Sequence, residues 1–169
     1  MKRDEGLTRL YERIYSHTRL VSFFRWLGLV STVIVILLYT YAFGVLLFFG
    51  EFISALRLGI FVGVPFFVVC LLRRVVDSPR PCEVYDIPAL STLKTAHVRG
   101  SSFPSLHVFF AFLIAVLWMM YSPPLGIVGV FFGLCIAAER TLLGKHFPKD
   151  VLTGAVIGIL SGLVGVLVW

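Results

Sequence analysis

Three short polar stretches hold the residues of this sequence whose types and spacing suit chemistry. Arg73 stands seven residues before Arg80-Pro81; Pro104-Ser105-Leu106-His107 follows; and Arg140 is spaced six residues from His146 and ten from Asp150. The last set lies within ERTLLGKHFPKD, Glu139 to Asp150. No Asp, Glu, Lys, Arg or His occurs from Val108 to Ala138 before it, or from Val151 to Trp169 after it. Arginine forks match phosphate oxygens bidentately and stay charged at any relevant pH. Together Arg73, Arg80 and Arg140 suit a phosphoryl group, whose transfer spreads charge over its equatorial oxygens. His146 and Asp150 are four apart, one helical face, so the carboxylate can hold one imidazole nitrogen and leave the other as a nucleophile. Ser105 and the backbone N–H groups beside it, Leu106 included, sit where a helix begins, which favours an anion. His107 is placed to protonate a leaving oxygen.

Each residue has a plainer reading. A single arginine near a helix end commonly snorkels, and a lone histidine on an apolar helix commonly packs. Arginines, histidines and an aspartate gathered at one bundle mouth argue against that reading as a group. His17 and His97 read as surface bystanders, and Glu139, Lys145 and Lys149 as residues flanking the membrane face. Asp77, Glu83 and Asp86 read as loop-structuring, or as weak cation ligands. A zinc site from His107, His146 and Asp150 is disfavoured by the neighbouring arginines, so neither metal nor cofactor is expected.

The elements that must position these residues are membrane helices. The chain is 169 residues long, 59% hydrophobic and only 14% charged, where soluble domains carry roughly 25% charged residues. Charge-free runs over 26–50 and 151–169 suffice, at about 1.5 Å per residue, to cross a hydrocarbon core of about 30 Å. The expected fold class is therefore an all-α, polytopic transmembrane helix bundle. Five spans are expected: 26–50, 58–73, 104–121, 125–141 and 149–169. A sixth would require three spans within 20–73, which leaves almost no residues for turns, and no turn signal occurs near Tyr41. With five, the N-terminus shares a side with the polar loops 74–103 and 140–149. The uncharged core of the second span is short, which predicts snorkelling arginines or local thinning.

Residues 4–22 read as an amphipathic helix on the membrane surface. Leu7, Leu10, Tyr11, Ile14 and Tyr15 recur at helical spacing, and Arg3, Arg9, Glu12, Arg13 and Arg19 surround the other face. The expected organisation is an interfacial segment, 1–25, and a membrane domain, 26–169. The first apolar run is longer than a signal-peptide core and reads as a retained span. Gly154, Gly158 and Gly162 allow close helix approach; packing within the chain is the first reading and a homodimer seam the second. The net charge of +6 is carried at the ends of apolar segments, which suits anionic lipid headgroups rather than nucleic acid. Cys70, Cys82 and Cys135 form no evident disulfide framework.

The three stretches, R-x6-RP, PSLH and R-x5-H-x3-D, resemble the three-part signature of the type 2 phosphatidic acid phosphatase superfamily, written K-x6-RP, PSGH and SR-x5-H-x3-D. The likeness covers about 73–169. It implies an integral-membrane lipid phosphatase, metal-independent, acting on a phosphomonoester or diphosphate headgroup such as polyprenyl diphosphate, phosphatidate or phosphatidylglycerol phosphate. By the same resemblance His146 is the nucleophile, aided by Asp150, and His107 is the acid. Arg73, Arg80, Ser105, Leu106 and Arg140 hold phosphate. A cell-membrane location with the site on the extracytoplasmic face is implied too, although the basic N-terminus pulls toward the cytoplasm by the positive-inside tendency. Arg73 stands in place of lysine, Leu106 of glycine and Glu139 of serine, the last adding a negative charge beside the phosphate. A soluble haloperoxidase with the same constellation does not suit so apolar a chain. The alternative is a membrane transporter or binding protein for anions or lipid phosphates, which would use the arginines but requires neither histidine. A membrane scaffold would explain the glycines and none of the polar residues.

Overall fold

The computed structural model describes residues 5–85 and 101–168. Every regular element among them is a helix: α1 Glu5–Tyr15, α2 Thr18–Phe48, α3 Phe52–Val75, α4 Pro81–Val84, α5 Leu106–Tyr121, α6 Pro123–Leu142 and α7 Pro148–Val168. Helices α2, α3, α6 and α7 are long and apolar enough to cross a membrane, and α5 is a shorter apolar helix. Trp26, Leu37, Phe67, Phe131, Leu152 and Leu160 are each more than half exposed on the outside. An apolar exterior of this kind suits hydrocarbon, not water. The protein is a multi-pass membrane bundle.

Three expected boundaries move. The helix expected over 4–22 breaks at Ser16-His17, where His17 is extended (φ −114°, ψ 92°). Ser16 Oγ donates to Arg13 O at 2.7 Å and His17 Nδ1 lies 3.0 Å from the same oxygen. Side chains that compete for helical carbonyls end helices, and Arg19 consequently sits at the start of the first span. Next, α3 begins at Phe52 and runs 24 residues, about 36 Å. Arg57 therefore lies inside the helix, and neither thinning nor a short span is needed. Gly50, at φ +75°, makes the reversal from α2 in a region open to glycine. Finally, α6 starts at Pro123, whose fixed φ suits a first helical turn.

The short helix is the central one. Val108, Phe109, Ala111, Leu113, Ile114 and Ala115 of α5 are all nearly inaccessible, and α5 packs against α2, α3, α6 and α7. A helix enclosed by others does not itself have to match the bilayer thickness. Its tightest partner is α7. A Cβ on Gly154 would lie 2.6 Å from Ser105 O, one on Gly158 would collide with Phe109 O, and one on Gly162 would lie 2.7 Å from Val116 Cβ. The glycine stripe is thus covered by α5 of the same chain.

Run in series, α2, α3, α5, α6 and α7 bring the C-terminal ends of α3 and α6 and the N-terminal ends of α5 and α7 to one face. The N-terminal segment joins them there. Tyr11 is buried with Cys82, Tyr85 and Phe147, and Ile14 with Val21 and Leu143. Tyr15 Oη donates to Leu143 O at 3.0 Å; burial pushes this phenol up to about 12, so it remains a neutral donor. Much of the face of α1 expected to lie in lipid instead covers the polar loops.

Candidate active site

Two serines stitch the polar segments together. Ser102 N–H donates to Ser78 O at 2.8 Å, and Ser78 N–H donates to Ser101 Oγ at 3.3 Å. Ser101 Oγ lies in turn against Val76 O and Phe103 O, and its single proton serves one of these at a time. This seam ties the chain leaving α3 to the chain entering α5. Arg73, in the last turn of α3, donates to Pro104 O at 2.5 Å. Arg80 donates through one terminal nitrogen to Lys145 O at 3.5 Å, while Cys82 N–H donates to Gly144 O at 3.2 Å. Arg80 and the α6–α7 loop are thereby held together.

That loop turns at Gly144, φ +65°, where a side chain would be strained. The N–H groups of Lys145 and His146 both donate to Arg140 O at 3.0 Å. His146 is therefore a loop residue, since α7 begins only at Pro148. The shared helical face expected of His146 and Asp150 does not exist. Nor does the expected direct hydrogen bond: His146 Nδ1 lies 4.0 Å from Asp150 Oδ2, beyond hydrogen-bond range. The two residues do meet through Ser102, a residue the sequence reading missed. His146 Nδ1 is 2.7 Å from Ser102 O, and Ser102 Oγ donates to Asp150 Oδ2 at 2.5 Å. Asp150 Oδ2 also accepts from Phe147 N–H at 3.0 Å, the reach-back typical of a carboxylate in the first turn of a helix.

These bonds assign the tautomer. A carbonyl only accepts, so the proton of neutral His146 sits on Nδ1 and the lone pair on Nε2. Burial, seconded by the charge of Arg80, pushes the imidazole down to about 3 against the pull of the Ser102 carbonyl. His146 is neutral across the physiological range. Arg73, Arg80 and Arg140 all bear on it electrostatically. Ser105, fully buried at the start of α5, has a hydroxyl without a hydrogen-bond partner among the described residues, as does Arg80 Nε. Orphaned buried donors are costly, roughly 1–3 kcal/mol each, and at this place both can donate to an anion. The leading N–H groups of α5, at Leu106 and His107, have no carbonyl of their own helix to bond. His107 is exposed, within electrostatic reach of Arg140, Lys145, Arg73 and Arg80. The bundle thus gathers all eight expected residues at one mouth: Arg73, Arg80, Ser105, Leu106, His107, Arg140, His146 and Asp150. Arg3, Asp86 and His97 lie outside the described residues.

The PAP2 superfamily matches residues 54–169 of this chain. The protein belongs to the PAP2 superfamily. Among its relatives is "Undecaprenyl-diphosphatase BcrC" of Bacillus subtilis (strain 168), 31% identical over 94 residues, 56% of this chain and 47% of that protein. Another is "Bacitracin transport permease protein BcrC" of Bacillus licheniformis, 33% identical over 67 residues, 40% of this chain and 33% of that protein. The matched segments thus span half or less of those relatives' length. Of solved structures, LpxE of Aquifex aeolicus superposes with a TM-score of 0.70 at 23% identity, covering 96% of this chain and 93% of that one. A PAP2-type phosphatidylglycerolphosphate phosphatase from Bacillus subtilis gives a TM-score of 0.70 at 18% identity, covering 95% and 83%. At these identities the likeness is one of fold.

Within this PAP2 chain the residue most at odds with an anion site has its charge answered. Glu139 is 1% exposed, its carboxylate paired with Lys145 Nζ and lying 3.1 Å from Arg140 Nε. It stands against Gly28 of α2, where a Cβ would come 2.5 Å from Glu139 Cγ. Burial lowers the Lys145 ammonium, and the attraction of Glu139 works the other way. Glu139 and Lys145, expected merely to flank the membrane face, instead form an ionic group with Arg140 in which the carboxylate is buried and the lysine partly exposed. Leu106, in the place where the resembling signature has glycine, is partly buried and packs against the core.

Proposed function

We propose that this PAP2 protein is a lipid phosphatase that cleaves a phosphomonoester or diphosphate headgroup at the membrane surface through a phosphohistidine. The single observation that carries this reading is the tautomer of His146: its Nδ1 faces Ser102 O at 2.7 Å, so Nε2 keeps its lone pair among three arginines. Nε2 attacks phosphorus, and the bond to the leaving oxygen breaks with its electron pair going to that oxygen, which takes a proton from His107. Arg73, Arg80, Arg140, Ser105 Oγ and the leading N–H groups of α5 hold the phosphoryl oxygens. Water, deprotonated by His107, then displaces Nε2 from phosphorus. No step requires a metal.

The name of the Bacillus subtilis relative suggests a polyprenyl diphosphate; phosphatidate and phosphatidylglycerol phosphate fit the same chemistry. We place the site on the extracytoplasmic face. Anion or lipid-phosphate transport is the second reading, favoured by the name of the Bacillus licheniformis relative, and it gives no role to the assigned tautomer. The test is phosphate release from a panel of lipid mono- and diphosphates in detergent with chelator present. His146→Ala is expected to lower kcat on the order of 10³-fold or more. Turnover close to wild type in that variant removes the nucleophile assignment, and a wild type inert on every lipid phosphate favours transport.

A further inference from the structure

We infer that Ser102 is the positioning residue through which Asp150 acts on His146. The inference rests on the phosphohistidine reading above and deepens it. Asp150 cannot hold the imidazole itself, because 4.0 Å separates Oδ2 from Nδ1. Ser102 touches both. Its carbonyl accepts the Nδ1 proton at 2.7 Å, its hydroxyl donates to Asp150 Oδ2 at 2.5 Å, and that hydroxyl oxygen is 3.2 Å from Nδ1. The hydroxyl has one proton to donate, and its hydrogen bond goes to the carboxylate, since an Nδ1 that carries its own proton offers no lone pair.

Ser102 is itself fixed. It is fully buried, and its N–H donates to Ser78 O at 2.8 Å. One residue is therefore held by the chain leaving α3, by the first turn of α7 and by the nucleophile. When Nε2 bonds to phosphorus the ring becomes cationic and Nδ1 keeps its proton. The Ser102 carbonyl then faces a stronger donor, with the Asp150 carboxylate behind it to balance the charge. When Nε2 is released the ring returns to its starting state. No proton leaves Nδ1 and none reaches Asp150. Ser102 fixes the ring's direction and tautomer; the phosphate is held by other residues.

A double-mutant cycle in the full-length chain tests this, reading kcat and KM separately on the best lipid phosphate of the panel. Ser102→Ala is expected to lower kcat about 10- to 100-fold, the scale of a slightly misplaced reacting group, with KM nearly unchanged. Ser102→Thr, which keeps the hydroxyl, is expected to recover part of the loss. The decisive variant combines Ser102→Ala with Asp150→Asn. If Asp150 works through Ser102, the pair loses little more than the worse single variant; if the two act independently, their losses multiply. Multiplying losses, or Ser102→Ala at wild-type kcat, overturn the assignment. A proportionate loss of kcat and of folded protein, measured by thermal unfolding, would also overturn it by making Ser102 merely structural. His146→Ala on the same substrate separates the two levels. An inactive His146→Ala beside an unimpaired Ser102→Ala sinks only the serine, whereas an active His146→Ala sinks the phosphohistidine reading.

Discussion

Glu139 shows how far a residue's type can mislead about its role. Read along the chain, a carboxylate beside an arginine expected to bind phosphate is a liability. In the fold it is buried against Gly28 and lies between the Lys145 ammonium and the Arg140 guanidinium. Removing one member of a buried ionic group leaves the others uncompensated, whereas removing both can be close to neutral. Glu139→Gln is therefore expected to lower stability by about 1–3 kcal/mol, less than a fully buried pair would give because Lys145 is partly exposed, and to raise KM through a looser Arg140. Glu139→Gln combined with Lys145→Met should restore most of the stability and little of the KM. Thermal unfolding and kinetics on the same samples check both parts; a double variant no more stable than the single would show that the ionic group is not the cause. That His146, Arg140 and the other six residues would share one mouth was legible because the spacing within each motif is local. Ser102 was not: its partners His146 and Asp150 lie 44 and 48 residues away, and a serine beside a proline-containing turn has ordinary local explanations. The direct His146–Asp150 contact failed because spacing of four implies one face only inside a helix, and α7 starts two residues too late.

At the scale of elements, charge-free runs gave the membrane helices well, because hydrocarbon excludes charge along a whole span. Helix ends leave a weaker trace in sequence. Arg57 looked like a boundary but lies within α3, and the α1–α2 break at His17 depends on side-chain competition for one carbonyl. The glycines of α7 were ambiguous in sequence, since close approach can serve an internal or an external partner. Their contacts with α5 give a sharp contrast for testing. At Gly158 a Cβ would strike the backbone oxygen of Phe109, while at Gly63 on α3 nothing lies within 4 Å. Gly158→Ala should destabilise by about 1–3 kcal/mol through forced separation of the helices. It should also lower activity, because the same seam sets Ser105 against Asp150, whose carbonyl accepts Ser105 N–H at 3.0 Å. Gly63→Ala should be neutral or slightly stabilising, by up to about 1 kcal/mol. Equal effects of the two substitutions on thermal unfolding in detergent would show that the α5–α7 seam is not close-packed.

For the whole molecule, the order of the helices decides what faces what. The series α2, α3, α5, α6, α7 puts α1 and the polar mouth at one end and the Gly50–Glu51 turn at the other. Arg9, Arg13, Arg19 and Arg25 are exposed at the mouth end, which the positive-inside tendency would direct to the cytoplasm. Arg9 and Arg13 belong to the folded head, because α1 is docked onto the loops through Tyr11 and Ile14. An extracytoplasmic mouth predicts a specific labelling pattern. Cys82 is a poor reporter, being 4% exposed beneath Tyr11. With Cys70, Cys82 and Cys135 replaced and phosphatase activity retained, Arg13→Cys should react with a membrane-impermeant thiol reagent in intact cells. Glu51→Cys should react only after the membrane is opened. The reverse pattern would place the mouth in the cytoplasm and make substrate presented on the inner leaflet the one to assay. Labelling of both in intact cells would break the five-span series itself.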